Sequence, residues 1–310
     1  MIHAPIALFV YNRPEHTRRT LEAISRNTGA ENTRLFIFAD GLRENASQQE
    51  RDQLDEVRRL IRQRPWCGSA EIVESSENLG LRQSICSGID TVLQSFERVI
   101  VLEDDLETSP GFLRYMNDAL ELYKEDEQVF QVSGFMVKNR PWAPATGFLR
   151  VSSSWGWGTW QRAWKHYRTD AENLLEEVKR KGQSSFDLDG FSFHFDELER
   201  NVSGNLNTWA VRWYASIFLH DGLCLYPRKT LVRNLGFDGT GIHCFDDETD
   251  YHRKLKLAQR VRVTKQPLAE SKVYLNAMQA HYRQLLRQWT GTRLRDRVRS
   301  KIRRTLGVKQ

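Results

Sequence analysis

Cysteine is scarce in this chain: there are four in 310 residues, and Cys67, Cys86, Cys224 and Cys244 include no close pair of redox or metal-ligand spacing. That excludes a disulfide-stapled scaffold and a cysteine zinc site, and predicts thiols kept in a reducing compartment. The sequons at Asn45 and Asn201 then carry no meaning. No apolar run approaches the roughly 20 residues needed to cross a bilayer as a helix. No Lys or Arg precedes the apolar start at residues 4–10 and no small-residue cleavage site follows it, so this segment reads as a first core strand rather than a secretory leader. Internal repeats and low-complexity tracts are absent as well. What remains is the expectation of a cytoplasmic globular chain with 40% hydrophobic and 28% charged residues, long enough for one large domain or two fused lobes.

Charge is lopsided rather than extreme. The formal net charge is +6, but the surplus lies at the C-terminus, where the basic residues from Arg283 to Lys309 face a single acid, Asp296. The body is therefore slightly acidic. Because the cations sit in one tail without the aromatic interleaving of a base-stacking surface, nucleic-acid binding is not expected.

The first half alternates short β-rich apolar runs with longer helical patterns, which predicts βα units and a mainly parallel sheet covered on both faces. Strands are expected at residues 6–11, 35–39, 70–74, 99–102 and 129–133, and helices at 14–26, 47–64, 81–96 and 111–125. Pro14 falls in a first helical turn, where a missing N–H costs nothing. The strands end in Tyr11-Asn12-Arg13, Asp40-Gly41, Glu77-Asn78-Leu79-Gly80 and Glu103-Asp104-Asp105. Those polar ends fall on the carboxyl edge, where open parallel sheets bind ligands. From about residue 148 the pattern changes: Trp155, Trp157, Trp160 and Trp164 crowd around Gly156 and Gly158, and a helix-like stretch follows at 207–221.

Three acids directly after a buried strand repel one another, so Glu103-Asp104-Asp105 calls for a cation. Hard oxygen ligands suit Mg²⁺ or Mn²⁺, either of which can also bridge a diphosphate. A solvated turn is the alternative.

On these residues the chain resembles the GT-A glycosyltransferases, the inverting family 2-like enzymes of bacterial surface polysaccharide synthesis and, more distantly, animal N-acetylglucosaminyltransferase I. Phe9-Val10-Tyr11-Asn12-Arg13-Pro14 is similar to the first-strand segment that holds the uridine, and Phe38-Ala39-Asp40-Gly41 to the second-strand acid. Val101-Leu102-Glu103-Asp104-Asp105 matches the Glu-Asp-Asp form of the DXD motif. The likeness continues through Ser154-Trp155-Gly156-Trp157-Gly158-Thr159-Trp160 and Gly236-Phe237-Asp238-Gly239-Thr240-Gly241-Ile242-His243, and so covers roughly residues 5–245. It implies an α/β fold of GT-A type (nucleotide-diphospho-sugar transferase), a mainly parallel sheet flanked by helices with a C-terminal helical extension. Its divisions would be a nucleotide-sugar-binding half at 1–145, an acceptor-side half of the same domain at 146–268, and a helical, basic tail at 269–310, loosely tied to the core from Tyr282 on. The resemblance further implies Asp105 on the metal, Glu103 and Asp104 at the donor sugar, Asp40, Arg13 and Tyr11 on uracil and ribose, and Arg82 near the nucleotide. The donor would be a nucleotide sugar, UDP-linked by preference, and the acceptor a surface-polysaccharide or lipid-linked glycan. His243 is either a further metal ligand or structural.

Three points stay open at this stage. Trp155, Trp157 and Trp160 line an acceptor cleft or pack the core. An inverting transferase needs a carboxylate base, yet the segment similar to the base-bearing helix carries Asn207 and Ala210. Asp238, among Gly236, Gly239 and Gly241 as in a closing loop, and Asp221 are then the candidates. If no base exists, the chain is a catalytically silent nucleotide-sugar-binding module. A sugar nucleotidyltransferase would instead show a Gly-rich, basic phosphate loop after its first strand, where this chain has Asn12-Arg13-Pro14-Glu15.

Finally, Arg293, Arg297, Lys301 and Arg304 share one helical stripe, and Leu294, Val298, Ile302, Thr305 and Leu306 another. This suits a peripheral helix on an anionic membrane surface at the inner face of the cytoplasmic membrane, each cation contributing about 1 kcal/mol. The alternative is a solvated tail. Deleting residues 291–310 should abolish co-sedimentation with anionic liposomes at low salt. Equal sedimentation of full-length and truncated protein would rule the anchor out.

Overall fold

The computed structural model describes residues 3–237 and 255–287. Its centre is built by strands that read as unbroken apolar runs, as a sheet buried on both faces requires. These are β1 (Ile6–Val10), β2 (Arg34–Ala39) and β4 (Arg98–Glu103). β1 pairs in parallel with β2 on one side and β4 on the other. β3 (Ser69–Glu74) closes this end of the sheet beside β2. It is mostly exposed, and the charges that protect such an edge are present: Glu71 pairs with Arg34 at 2.7 Å and Glu74 with Arg62 at 2.6 Å.

The helices between these strands begin where local chemistry dictates. In α1 (Pro14–Ser25) the proline occupies the first turn. In α2 (Gln48–Ile61) Ser47 and Glu50 form a reciprocal capping box, and in α3 (Leu81–Leu93) the chain enters through Gly80. α2 stops three residues short of the predicted end, ahead of Pro65, whose ring disfavours helix in the residue before it. After β4 comes a short strand absent from the sequence reading, β5 (Leu106–Thr108), then α4 (Phe112–Leu122) and β6 (Val129–Ser133).

The second half does not form a lobe of its own. It supplies β7 (Thr146–Leu149), β8 (Trp157–Trp160), α5 (Gln161–Trp164), α6 (Ala171–Phe186), α7 (His194–Val202), α8 (Ala210–Leu219), β9 (Leu223–Pro227) and β10 (Val232–Asn234). β8 inserts antiparallel between β4 and β6, β9 runs parallel to β6, and β7 runs antiparallel beside β9. The eight-stranded order is β3-β2-β1-β4-β8-β6-β9-β7, while β10 and β5 form a separate antiparallel ribbon. A strand from one half thus lies between two from the other, which makes them one domain with one sheet.

Alternating side chains send Ala7 and Phe9 to one face and Ile6, Leu8 and Val10 to the other. The first face packs residues of α3, α6, α7 and α8; the second packs residues of α1, α2 and α4. Trp157 is central to the first. It is fully buried, stacks on Trp209 at 5.2 Å and touches Trp164 and Trp213 at 6.0 and 6.1 Å. The acceptor-cleft reading is therefore corrected for Trp157, and for Trp160, whose Nε1 donates to the Leu120 carbonyl at 3.0 Å. Both stand on a strand enclosed by neighbours on each side. Gly156 enables this entry with φ +61°, and a Cβ there would lie 2.7 Å from Val232 Cγ2.

Residues 272–287 are helical. They are held more firmly than a loose tail: Tyr274 is fully buried with its hydroxyl donating to the Pro144 carbonyl at 2.8 Å, Met278 is buried, and the Tyr282 hydroxyl meets His194 Nε2 at 3.3 Å. The stripe at 293–306 lies outside the described residues, as does Cys244; Cys67, Cys86 and Cys224 are free thiols. Among the described residues no helix is long and apolar enough to cross a membrane.

Trp157→Ala should lower the unfolding free energy by about 3–5 kcal/mol, the range for deleting a large buried aromatic. Urea denaturation checks this. A loss under 1 kcal/mol would return Trp157 to the surface.

Candidate functional site

At the carboxyl edge of β1 and β4 the acids of the triplet meet their first cation. Arg13 follows β1 and caps α1, whose Thr17 backbone N–H and hydroxyl both bond the Arg13 carbonyl at 2.9 Å. Its side chain reaches across to β4's end. Arg13 Nη2 pairs closely with Asp104 Oδ1, Nε donates to Asp104 Oδ2 at 3.3 Å, and Nη2 also reaches Asp105 Oδ2 at 3.1 Å. The Thr20 hydroxyl fixes the Asp104 carbonyl at 2.7 Å. Asp104 and Asp105 are both buried, and Arg13 is partly so.

Electrostatics follow from this crowding. Burial, reinforced by the charges of Asp105 and Asp104, pushes the Glu103 carboxyl well above the ordinary carboxylate range. Burial likewise pushes Asp104 up to about 6 against the pull of Arg13. Burial opposes the charge on Arg13, but the attraction of Asp104 and then Asp105 outweighs it and holds the guanidinium above its ordinary value.

Asp40 does a different job from the one its motif suggests. It is buried at the end of β2, and its carboxylate accepts from Gly41 N at 2.9 Å, Leu79 N at 2.8 Å, Gly80 N at 3.0 Å and Asn78 Nδ2 at 3.2 Å. Those donors fill the roughly four acceptor positions of a carboxylate. Asp40 therefore clamps the loop after β3 onto the end of β2. Asn78 completes the clamp through the Gly41 carbonyl at 2.8 Å. Tyr11, which follows β1 as Asp40 follows β2, keeps a buried hydroxyl without a hydrogen-bond partner, with Arg43 5.8 Å from its ring centre.

A third element arrives from the far end of the chain. β10 pairs with β5, and the segment after it lies on the triplet: Leu235 N donates to the Asp105 carbonyl at 2.7 Å. Gly236 passes so close that a Cβ there would stand 2.4 Å from Asp105 Oδ2. Phe237 is buried edge-on against Trp155, with ring centres 5.6 Å apart. Trp155, half-buried and also against Phe135 at 4.5 Å, is thus the tryptophan of the segment that borders the site.

As a metal site the triplet is open rather than closed. Among the described residues no three His, Cys, Asp or Glu side chains gather as a ligand set. Mg²⁺ and Mn²⁺ tolerate this, since such ions commonly use one or two carboxylates together with substrate phosphates and water. Asp104 and Asp105 fit that requirement, with the Arg13 guanidinium standing between them.

Other predicted residues are not brought here. Asp221 precedes β9, which is parallel to β6 and, through β8, to β4. It therefore lies at the amino edge, opposite the triplet's edge and three strands away from β4. There it is exposed and paired with Lys181 at 2.6 Å. This corrects its candidacy as base. Asn207 is exposed ahead of α8 and accepts from Arg212 Nη1 at 3.3 Å. Arg82 stands in the first turn of α3, directly after the clamped loop. Asp238 and His243 lie outside the described residues. Sequence reasoning missed Asn78 as a clamp, although Asn-Leu-Gly at a strand end was the signal. It missed Arg212 altogether, since nothing local marks a buried arginine.

The order of the sheet and the acid-bearing carboxyl edge define an α/β architecture with a mainly parallel sheet flanked by helices, of the kind expected for a GT-A fold. Residues 1–139 match the model of the GNT-I family, somewhat under half of the chain, which supports a glycosyltransferase. Among curated proteins no sequence match is found. Among solved structures the chain is similar to the mannosyltransferase PcManGT from Pyrobaculum calidifontis, in complex with GDP-Man and Mn²⁺: 12% identity, 70% of either chain covered, TM-score 0.39. TarS of S. aureus shows 11% identity over 74% of this chain and 36% of its own, with a TM-score of 0.40. A UDP-glucose pyrophosphorylase complexed with UDP-glucose shows 10% identity over 73% of this chain and 90% of its own, with a TM-score of 0.35. Likenesses at this level leave substrate and chemistry open.

Asp40→Asn replaces one accepting oxygen by an NH2 donor that faces backbone N–H groups needing an acceptor. It should lower the unfolding free energy by about 1.5–3 kcal/mol, the range for a hydrogen bond to a charged group. Unchanged thermal stability would mean that the clamp does not hold the loop.

Proposed function

We propose that the protein is an inverting, metal-dependent glycosyltransferase. It moves a hexosyl or N-acetylhexosaminyl unit from a nucleotide-diphosphate donor, UDP-linked by preference, to a surface-polysaccharide or lipid-linked glycan acceptor. The observation that carries this reading is the pair Asp104 and Asp105, buried at the carboxyl edge of a mainly parallel sheet and already neutralised by a cation. A nucleotidyltransferase would want a phosphate-cradling glycine loop after β1, and Asn12-Arg13-Pro14 leads straight into α1 instead.

In this reading Asp105 and Asp104 would hold Mn²⁺ or Mg²⁺, which offsets charge on the departing diphosphate. Arg13 binds the same carboxylates, and its guanidinium would be free to turn toward the donor if they held the ion. The clamp of Asp40 and Asn78 shapes the wall against which the nucleotide base and ribose rest, beside Tyr11. Trp155 offers an aromatic surface toward the acceptor side. Asp238, the residue after Phe237 in the chain, is the base that takes the acceptor hydroxyl proton, with His243 further along the same segment as an additional ligand. The basic tail would keep the enzyme at an anionic membrane surface.

One observation keeps a silent nucleotide-sugar-binding module in view: with Asp221 at the amino edge and an amide at Asn207, the base rests on Asp238 alone. The test is release of nucleoside diphosphate from a panel of sugar nucleotides with Mn²⁺ present. Turnover is expected for at least one donor. Asp105→Ala should abolish it and weaken Mn²⁺-dependent UDP binding, and Asp238→Asn should lower kcat about 100-fold or more with donor binding intact. UDP binding without turnover on any donor would establish the silent module. Unchanged Mn²⁺ and UDP binding in Asp105→Ala would overturn the metal assignment.

A further inference from the structure

On the face of the sheet shared by α3 and α8, two arginines lie without an acid to neutralise them. Arg212, in the first turn of α8, is 6% exposed, and its Nη1 donates to two neutral oxygens, the Thr208 carbonyl at 2.6 Å and Asn207 Oδ1 at 3.3 Å. Its Nε is buried with no hydrogen-bond partner. Arg82, in the first turn of α3, also buries an Nε without a partner, and among the described residues it has no ion pair. The Tyr167 hydroxyl is a third buried polar group, and its polar neighbours are the Cys86 thiol and these two guanidinium groups.

The two cations feel each other. Burial pulls the Arg212 guanidinium down from its ordinary value, and the like charge of Arg82 pulls in the same direction. No carboxylate is among the groups that act on it. Other partly buried arginines of this chain either meet acids, as Arg13 does with Asp104 and Asp105, Arg150 with Glu270 and Asp189, and Arg168 with Asp170 and Glu177, or give their donors to backbone carbonyls, as Arg162 and Arg228 do. A buried, unpaired cation is costly, and a second one beside it more so, unless an anion completes the group.

The backbone points the same way. α3 has 13 residues and α8 has 10, and neither N-terminus is capped by a side chain, so both leave N–H groups and positive partial charge at their starts. α3 starts directly after the loop that Asp40 clamps. α8 also starts at the carboxyl edge, because β9 behind it begins at the amino edge. The arginines therefore stand at the seam between the donor half and the acceptor half. Guanidinium forks match phosphate oxygens in pairs.

We propose that Arg82 and Arg212, with the Tyr167 hydroxyl, form a subsite for a phosphate oxyanion at this seam, supplied by the donor's diphosphate or by a phosphate on the acceptor. The assignment to a substrate rests on the glycosyltransferase reading; the binding of the oxyanion does not.

The test uses the full chain and inorganic pyrophosphate, followed by thermal unfolding and calorimetry against chloride of equal ionic strength. Pyrophosphate should raise Tm of the wild type, as any ligand of the native state does. Arg82→Gln should unfold at the same or a higher temperature without pyrophosphate, because it removes a like charge, and should bind pyrophosphate at least 10-fold more weakly. Arg212→Lys keeps the charge and loses the fork, and should show an intermediate loss; Arg212→Gln adds the full loss where it folds. If Arg82→Gln weakens UDP but not uridine, the donor's diphosphate occupies the site. If UDP binding is unchanged while pyrophosphate binding to the UDP-loaded protein weakens, the acceptor's phosphate does. Equal pyrophosphate affinity in wild type, Arg82→Gln and Arg212→Lys overturns the subsite. Pyrophosphate binding that depends on both arginines in a protein that binds no UDP would keep the subsite and remove the glycosyltransferase reading.

Discussion

Carboxylates placed side by side at the end of a buried strand cannot all ionise unless something positive stands among them. Glu103, Asp104 and Asp105 impose that condition on the carboxyl edge, and much of the local structure answers it. Arg13 crosses from the end of β1 to pair with Asp104 and Asp105, Thr20 holds the Asp104 carbonyl, and the segment after β10 lies on Asp105 through Leu235 and Gly236. Chain segments more than 200 residues apart in sequence thus meet at one charge cluster. Burial raises both Glu103 and Asp104 above the ordinary carboxylate range, so the cluster resists carrying all of its negative charge at once.

The same edge is organised twice more by polar groups with opposite fates. Asp40 has its acceptor positions filled by Gly41 N and three donors of the loop after β3, so its contribution is rigidity of the wall. Arg82 and Arg212 have donors left over. Saturated groups build the site's shape, and unsaturated ones mark where a ligand's oxygens are wanted. Along the carboxyl edge the clamp lies at the ends of β2 and β3, and the acids and Arg13 at the ends of β4 and β1, next to β8 of the second half.

Aromatic packing decides how the second half relates to the first. Trp157, Trp164, Trp209 and Trp213 interlock beneath the sheet, with Trp213 Nε1 donating to Gln131 Oε1 at 2.8 Å and Trp164 Nε1 to Asp90 Oδ1 at 2.7 Å. Through β8 this cluster is hydrogen-bonded into the centre of the sheet, so the acceptor side is rigidly referenced to β4 and its acids. Only Trp155, at the outer end of the segment, remains beside the candidate site.

The sequence by itself determined the strands and helices of the first half within a few residues, because strands buried on both faces must be continuous apolar runs and helix starts carry their own capping chemistry. It also determined that the acids fall at a strand's carboxyl end, since strand and triplet are adjacent in the chain. β8 was beyond its reach: Trp-Gly-Thr-Trp reads equally well as a cleft rim or a core strand, and only insertion between β4 and β6 settles which. Asp221 looked eligible as a base until strand direction put it on the amino edge. Asp40 looked like a free carboxylate until the loop 77–80 folded over it, and Arg212 carried no local signal at all. Period and capping are properties of neighbours in sequence, whereas the edge a carboxylate occupies and the partner a cation lacks depend on strand order and direction, which exist only in the assembled sheet.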